Sequence, residues 1–409
     1  MVKIFSANWI LPGNGNPPLQ NHALVIREGK IFDIGPVSEI EGKYSNRVYD
    51  LGNTIIFPAF VNVHTHLELT HLRNRVTETS GFIPWMRQTS QELRESSEEE
   101  IRQGIQQGLQ ELHEAGTIGI GEVTSTNHSV DFIGETSMFA RIFHEVQGFR
   151  NFKVPYQMQE IQKLMNRFDD TEKTTHHVAP HSPYLVGRKL FQEIEQRESL
   201  ISLHLASLPE ELEFFQSGQG IIKQMLLANE MYDYMWEVPE TTPVRYFFDN
   251  YYYAQSNILV HMIHVSDEDM DYMAECHVDI HICLCPRSHK TLGLGLAPAQ
   301  KYKKRGFNLC LGTDNIVSSG DYQMQNEMRA AQETYGLSPK DILSMATYQG
   351  AKALGFEEQI GSIEKGKYGY LLMMENPFAV DKDPYEALLE SDKPITWLEN
   401  LGEFESATA

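Results

Sequence analysis

The sequence predicts an α/β protein built as a (β/α)8 TIM-type barrel, with a small β unit assembled from both chain ends. Three observations predict it. Eight short strand-like runs, most of them separated by helical pattern, fill about 300 residues, and such alternation points to a parallel sheet. β-type text precedes Pro58 and returns after Gly355. Several of the eight runs end in a histidine or an aspartate, and closed barrels carry their reactive groups at the C-terminal strand ends. An open doubly wound sheet is the alternative arrangement. The expected boundaries are 58–355 for the barrel and 1–57 with 356–409 for the composite β unit.

In chain order, Val2 to Ile10, His22 to Arg27, Lys30 to Gly35 and Arg47 to Leu51 are short β-type segments between turn-rich stretches such as Pro12-Gly-Asn-Gly-Asn-Pro-Pro18. The first barrel strand follows Pro58. Ser97-Glu-Glu-Glu100 is a capping box that opens a helix with apolar residues at Ile101, Ile105, Leu109 and Leu112, and Gly116 ends it. The remaining strands are expected at Thr117 to Val123, Ala140 to Val146, Thr175 to His181, Leu200 to Ala206, Asn257 to Met262, His277 to Leu284 and Phe307 to Gly312. A helix over Ser338 to Leu354 closes the series, with Ser338 as its N-cap and Gly355 as its stop. The segment Ile360 to Met374 then completes the N-terminal β unit, and the tail beyond Asn400 reads as frayed.

Composition narrows the class. A chain of 409 residues can bury a sizeable core, and its 41% hydrophobic and 22% charged residues are ordinary for a soluble protein. No apolar run reaches membrane-spanning length, and Met1-Val-Lys-Ile-Phe-Ser lacks the core of a signal peptide, so a cytoplasmic location is expected. A net charge of -22 argues against nucleic acid or an anionic membrane as partner. Cys276, Cys283, Cys285 and Cys310 lack zinc-finger spacing and read as reduced, buried residues.

The chemistry starts at Phe57-Pro-Ala-Phe-Val-Asn-Val-His-Thr-His66. Strand side chains repeat every two residues, so His64 and His66 leave one face at the strand's end. Two imidazoles held that close suit a divalent transition metal. Parity selects further residues. The bulky odd positions of Ile201-Ser-Leu-His-Leu-Ala206 place His204 on the opposite, inner face; the same argument turns His261 inward and leaves His264 beyond its strand. In Phe307-Asn-Leu-Cys-Leu-Gly-Thr-Asp314 the aspartate continues the inner face. Each residue alone also suits a structural role, a strand-end histidine as a hydrogen-bonded residue and Gly-Thr-Asp as a helix entry.

Together, His64-Thr-His66, His204-Leu-Ala, His261, Cys285-Pro-Arg-Ser288 and Gly312-Thr-Asp314 resemble the amidohydrolase superfamily, in its cytosine-deaminase and chlorohydrolase-like branch. His64-Thr-His-Leu-Glu-Leu69, Gly81-Phe-Ile-Pro-Trp85 and Pro180-His-Ser-Pro-Tyr184 look most like the aminofutalosine and S-adenosylhomocysteine deaminases. The match runs from about Val2 through Ile363. The resemblance implies a barrel flanked by a β-sandwich from both chain ends. It also implies one divalent ion, Zn2+ or Fe2+, held by His64, His66, His204 and Asp314. Asp314 would then accept a proton from water, and His261 would hydrogen-bond the water or polarise the substrate. No lysine stands at the end of the fourth strand, since Lys173 precedes it, so a single metal rather than a lysine-bridged pair is expected.

One departure matters. The family's fifth strand usually reads His-x-x-Glu, whereas this chain has His204-Leu-Ala-Ser207, and a serine hydroxyl is a poor acid at neutral pH. Glu210 and Glu211 suit the helix dipole instead. The reading is therefore a metal-dependent hydrolase of a carbon–nitrogen bond in a purine-like or other cyclic amidine substrate. The alternatives are a hydrolase with another leaving group, chloride or thioether, or a catalytically impaired metal-binding barrel. His181, Trp85 and Ser207 are the candidate substrate contacts, with Trp85 better suited to the core than to a pocket wall. Glu122, Arg141, Glu145 and Arg150 suit either polar substrate contacts or salt bridges, and His281 a lumen position. The aromatic run Arg245 to Tyr253 suits packing or a homo-oligomer interface.

Overall fold

The computed structural model describes residues 2–78, 81–250, 254–379 and 382–398. Its barrel-type strands form two parallel quartets. The first is β6 (Phe60–Thr65), β7 (Thr117–Thr124), β8 (Phe139–Val146) and β9 (Thr174–Pro180), paired in that order. The second is β10 (Leu200–Leu205), β11 (Ser256–His261), β12 (Asp279–Leu284) and β13 (Asn308–Leu311). Backbone hydrogen bonds also cross both gaps between quartets: His204 N donates to His181 O at 2.9 Å, and Asp314 N donates to His64 O at 2.9 Å. The protein is thus α/β with parallel sheets, the strands connected through helices. Among the described residues no helix is long and apolar enough to cross a membrane.

The first and last described segments of the chain meet in a third, seven-stranded sheet. It contains β1 (Val2–Ile10), β2 (Leu19–Arg27), β3 (Lys30–Pro36), β4 (Val48–Asp50) and β5 (Thr54–Pro58), joined by β14 (Leu371–Glu375) and β15 (Thr396–Trp397). β14 runs antiparallel to β5, with Leu371 opposite Pro58 and Met373 opposite Ile56. The crossing into the first quartet is a single residue. Ala59 N still bonds Tyr370 O at 3.0 Å, while Phe60 N bonds Gly116 O at 2.9 Å.

The capping box forms as its sequence dictates. Ser97 accepts from the Glu100 N–H, the Glu100 carboxylate accepts from the Ser97 N–H, and Ile101, Ile105, Leu109 and Leu112 are buried. Two expectations are corrected. The helix over 338–354 is two helices, Pro339–Met345 and Tyr348–Ala353. Thr347, with φ -134° and ψ -93°, leaves helical geometry between them; its hydroxyl donates to Leu343 O at 2.6 Å and lies 3.4 Å from Gly13 O. The continuous β text over 360–374 is strand only from Leu371. Gly361 (φ 86) and Gly366 (φ 93) take backbone conformations that no strand continues through. The helix Val37–Lys43 had no sequence signal strong enough to predict it. The expected fraying beyond Asn400 lies outside the described residues.

The part of the aromatic run up to Asn250 forms the end of the helix Pro243–Asn250, in which Tyr246, Phe247 and Phe248 are buried as packing residues; Tyr251 to Tyr253 lie outside the described residues. All four cysteines are free thiols, three of them buried.

Candidate active site

Three strand ends, those of β6, β10 and β13, converge on one point. His64 Nε2 and His66 Nε2 lie 3.2 Å apart, and Asp314 Oδ1 lies 3.6 Å and 3.7 Å from them. The ring nitrogens of His64, His66 and His204 form a cluster in which all lie within 4.8 Å of one another, with Asp314 beside it. His204 Nδ1 is 3.0 Å from His181 O, a contact that places the proton on Nδ1 and leaves the Nε2 lone pair for the cluster. The backbone is bent to achieve this. Ala206, His261, Met262 and Asp314 all have positive φ, between 48° and 76°, an uncommon conformation for non-glycine residues.

The electrostatics favour neutral, lone-pair-bearing imidazoles. Burial pushes His64 down to about 4, His181 and His261 down to about 3, and His204 well below the usual imidazole range. Burial pushes Asp314 up, but its contact with His64 and the neighbouring imidazoles more than offsets this and keeps the carboxyl ionised. Three neutral imidazoles and one carboxylate are a donor set for Zn2+ or Fe2+. The buried Nδ1 of His64 has no hydrogen-bond partner, and the two facing Nε2 atoms can both present lone pairs only to a shared cation. The residues fit a metal.

This cluster forms the floor of a cavity of about 750 Å³. His66, Trp85, His181, His204, Ser207, His261 and Asp314 line it together, so the sequence-predicted substrate contacts and cluster residues meet in one place; His64 lies buried beneath. Trp85 comes from the helix Phe82–Glu95 and packs against Phe82 with ring centroids 5.7 Å apart. The Ser207 hydroxyl is buried and has no hydrogen-bond partner. Just beyond it Glu211 accepts from the backbone N–H groups of Ala206, Ser207 and Leu208, and burial pushes it up to about 7.

Other candidates are placed elsewhere. Glu122 accepts from Leu67 N at 3.1 Å under the segment that follows His66. Arg141 binds the Leu354 carbonyl at 2.6 Å, and Arg150 the Tyr232 carbonyl at 3.1 Å. His281 pairs with Asn308 at 2.7 Å and does not line the cavity. Lys173 bonds Ser137 O and the Tyr370 hydroxyl, away from the cluster. Glu145, by contrast, does line the cavity; its Oε1 is 4.0 Å from His181 Nε2, and burial pushes its carboxyl up.

Sequence reasoning missed His289. Its Nε2 lies 3.0 Å from His261 Nδ1, and its own Nδ1 lies 3.1 Å from the Tyr335 hydroxyl, a buried chain behind the cavity wall. His289 sits on the short helix Pro286–Leu292, where strand parity gives no signal. Neighbouring Ser288 donates to Asp314 Oδ2 at 2.6 Å and holds the carboxylate in place.

Comparison with known proteins agrees with this geometry. The amidohydrolase family profile matches residues 55–394. A 5-methylthioadenosine/S-adenosylhomocysteine deaminase of Teredinibacter turnerae is 25% identical over 389 residues, covering 90% of this chain and 83% of its own. Among solved structures, the aminofutalosine deaminase of Helicobacter pylori in complex with methylthio-coformycin superposes with a TM-score of 0.83 at 20% identity, covering 96% of this chain and 97% of its own. A zinc-bound adenosine deaminase of Xanthomonas campestris gives 0.77 at 22% identity, covering 96% and 90%. At these identities the structural likenesses speak to the fold.

Proposed function

We propose, from the premise that the chain belongs to the amidohydrolase family, that it is a metal-dependent hydrolase that deaminates a purine-like or other cyclic amidine substrate. The observation that carries this reading is the convergence of His64, His66, His204 and Asp314 at the floor of a cavity large enough for a small-molecule ligand. Those four residues would hold one divalent ion, Zn2+ by preference, with Fe2+ as the other ion suited to them. When bound, the ion supplies Lewis acidity and lowers the pKa of water towards neutrality.

The chain's own residues do the rest. Asp314, fixed by Ser288, accepts a proton from the attacking water through the oxygen that Ser288 does not hold. His261, backed by His289, presents its other ring nitrogen towards the substrate carbon undergoing attack. Trp85 offers a flat apolar wall for a heterocycle, and His181 a polar contact beside it. Enclosure of the reacting atoms among buried side chains strengthens each of these interactions.

The same reading extends to the architecture. The two quartets form one closed (β/α)8 barrel over 58–355, supported by the hydrogen bonds that cross both gaps. Residues 1–57 and 356–409 form a composite β-sandwich domain. The pairing of β14 with β5, and an apolar cluster of Ile10, Leu24, Ile56, Ile363 and Leu371 separate from the barrel core, support it.

Ser207 favours a second reading, hydrolysis of another leaving group such as chloride or thioether, for which proton delivery matters less. Zinc-loaded protein incubated with 5'-methylthioadenosine, adenosine and S-adenosylhomocysteine, with ammonia measured, tests the choice. Ammonia release supports deamination; its absence across the set, with metal bound, overturns it.

A further inference from the structure

Hydrolysis of an amidine needs two protons delivered to nitrogen, one to the ring nitrogen and one to the departing amine. A group that gives up and regains a proton must stand in the cavity. Among the described residues three carboxylates line it: Glu68, Glu145 and Asp314.

Glu68 is fully engaged. It accepts from the backbone N–H groups of Ser125 and Thr126 and from the hydroxyls of Thr124, Ser125 and Thr126 at 2.5–3.1 Å. Asp314 turns one oxygen to Ser288 and the other to His64 and His66. The hydroxyls of Ser125 and Ser207 are too weakly acidic to serve. Glu145 differs from all of these. It stands one residue before the end of β8, bonds Gln147, and points an oxygen to within 4.8 Å of the facing nitrogens of His181 and His204. Among the described residues no cation is hydrogen-bonded to it; His181 flanks it at 4.0 Å.

We propose that Glu145 is the acid that protonates the substrate's ring nitrogen in this site, a task for which Ser207 provides no carboxyl group. The inference rests on the deaminase reading above. In its acid form Glu145 donates to the ring nitrogen as the C=N π pair moves there, while water oxygen bonds to carbon and one water proton passes to Asp314. The remaining hydroxyl proton then returns to Glu145 as the carbonyl forms. Asp314 gives its proton to the amine, the C–N bond breaks with its electron pair, and ammonia leaves. One water is consumed, and both carboxyl groups end as they began.

The test uses the zinc-loaded full-length protein with 5'-methylthioadenosine, adenosine and S-adenosylhomocysteine as probes, measuring ammonia release, zinc content and thermal midpoint. Glu145→Gln should lower kcat roughly 10²–10⁴-fold, the range of a positioned acid–base group, with KM, zinc content and midpoint unchanged. Adding Ser207→Glu to that variant should recover at least tenfold by placing a new carboxylate in the same cavity. Should the glutamine variant not fold, Glu145→Asp, which keeps the charge and withdraws it by one methylene, carries the same comparison. Wild-type ammonia release with Glu145→Gln within threefold of it overturns the inference and leaves the deaminase reading standing. A fall in zinc content in step with the rate also overturns it, because Glu145 then supports the metal. No ammonia from zinc-bound wild type removes the reading and the inference together.

Discussion

Asp314 meets His64 twice: its backbone N–H donates to the His64 carbonyl at 2.9 Å, and its Oδ1 lies 3.6 Å from the His64 Nε2. The first contact links the end of β13 to the end of β6, and the second brings a carboxylate to an imidazole. The backbone bond therefore sets the side-chain geometry. The protein should bind close to one divalent ion per chain, and His64→Ala with His66→Ala should abolish most of the occupancy. Elemental analysis after dialysis measures this, and full occupancy in the double variant would rule out the site.

Gly312 should control the same geometry. A Cβ there would lie 2.9 Å from Cys283 Sγ, from His64 Cβ and from the His64 carbonyl. Contacts so short force the backbone or His64 to move. Gly312→Ala should weaken metal affinity by about 10–100-fold, the range seen when groups that orient ligands are lost. Competition with a zinc chelator reads this directly; unchanged affinity would show that the strand end has slack.

His289 should act through His261. Its removal frees the His261 ring to turn, and a misplacement of about 1 Å costs on the order of 10²-fold in rate. His289→Ala should therefore lower kcat by about that factor while leaving metal content intact. Tyr335→Phe, which removes the next hydrogen bond in the chain, should have a smaller effect in the same direction. Equal losses of metal and rate would place His289 in support of the metal cluster instead.

Asp33 supplies a pH test of the seven-stranded sheet. Lys365, at 2.6 Å, Lys43 and Tyr44 all bind it, the lysine contacts foremost in holding its carboxyl well below the usual range. A folded-state pKa below the unfolded value, about 3.9, stabilises the protein above that value and loses its effect as pH falls through the folded one. Both lysines are more than half exposed, so water screens the pair and about 1 kcal/mol is expected. Asp33→Asn should lower stability by that amount at pH 7. The difference should shrink progressively below about pH 4, as urea titrations at several pH values would measure. A deficit constant with pH would assign the effect to packing.

Strand parity made much of the candidate site legible. The pleat repeats every two residues, and the outward faces of β10, β11 and β13 are apolar, so His204, His261 and Asp314 could be placed from spacing alone. Glu145 was harder, since its face of β8 also carries Arg141 and Phe143, a mixture that reports no environment. His289 lies on a short helix whose role depends on β11, 28 residues away. Nothing in the residue types announced positive φ at Ala206, His261 or Asp314, because tertiary contacts impose it. The helix break at Thr347 packs against Gly13, 334 residues earlier, and no local pattern records such a neighbour.

The pairing of β14 with β5 sets an order of events during synthesis. Pro58 leaves the ribosome 313 residues before Leu371, its partner across the sheet. At roughly 5–20 residues per second, β5 waits about 15–60 s with one edge bare. A bare strand edge is a template for pairing with other chains. The nascent protein thus carries an aggregation-prone edge through most of its translation, and a chain cut short anywhere before Leu371 keeps that edge permanently.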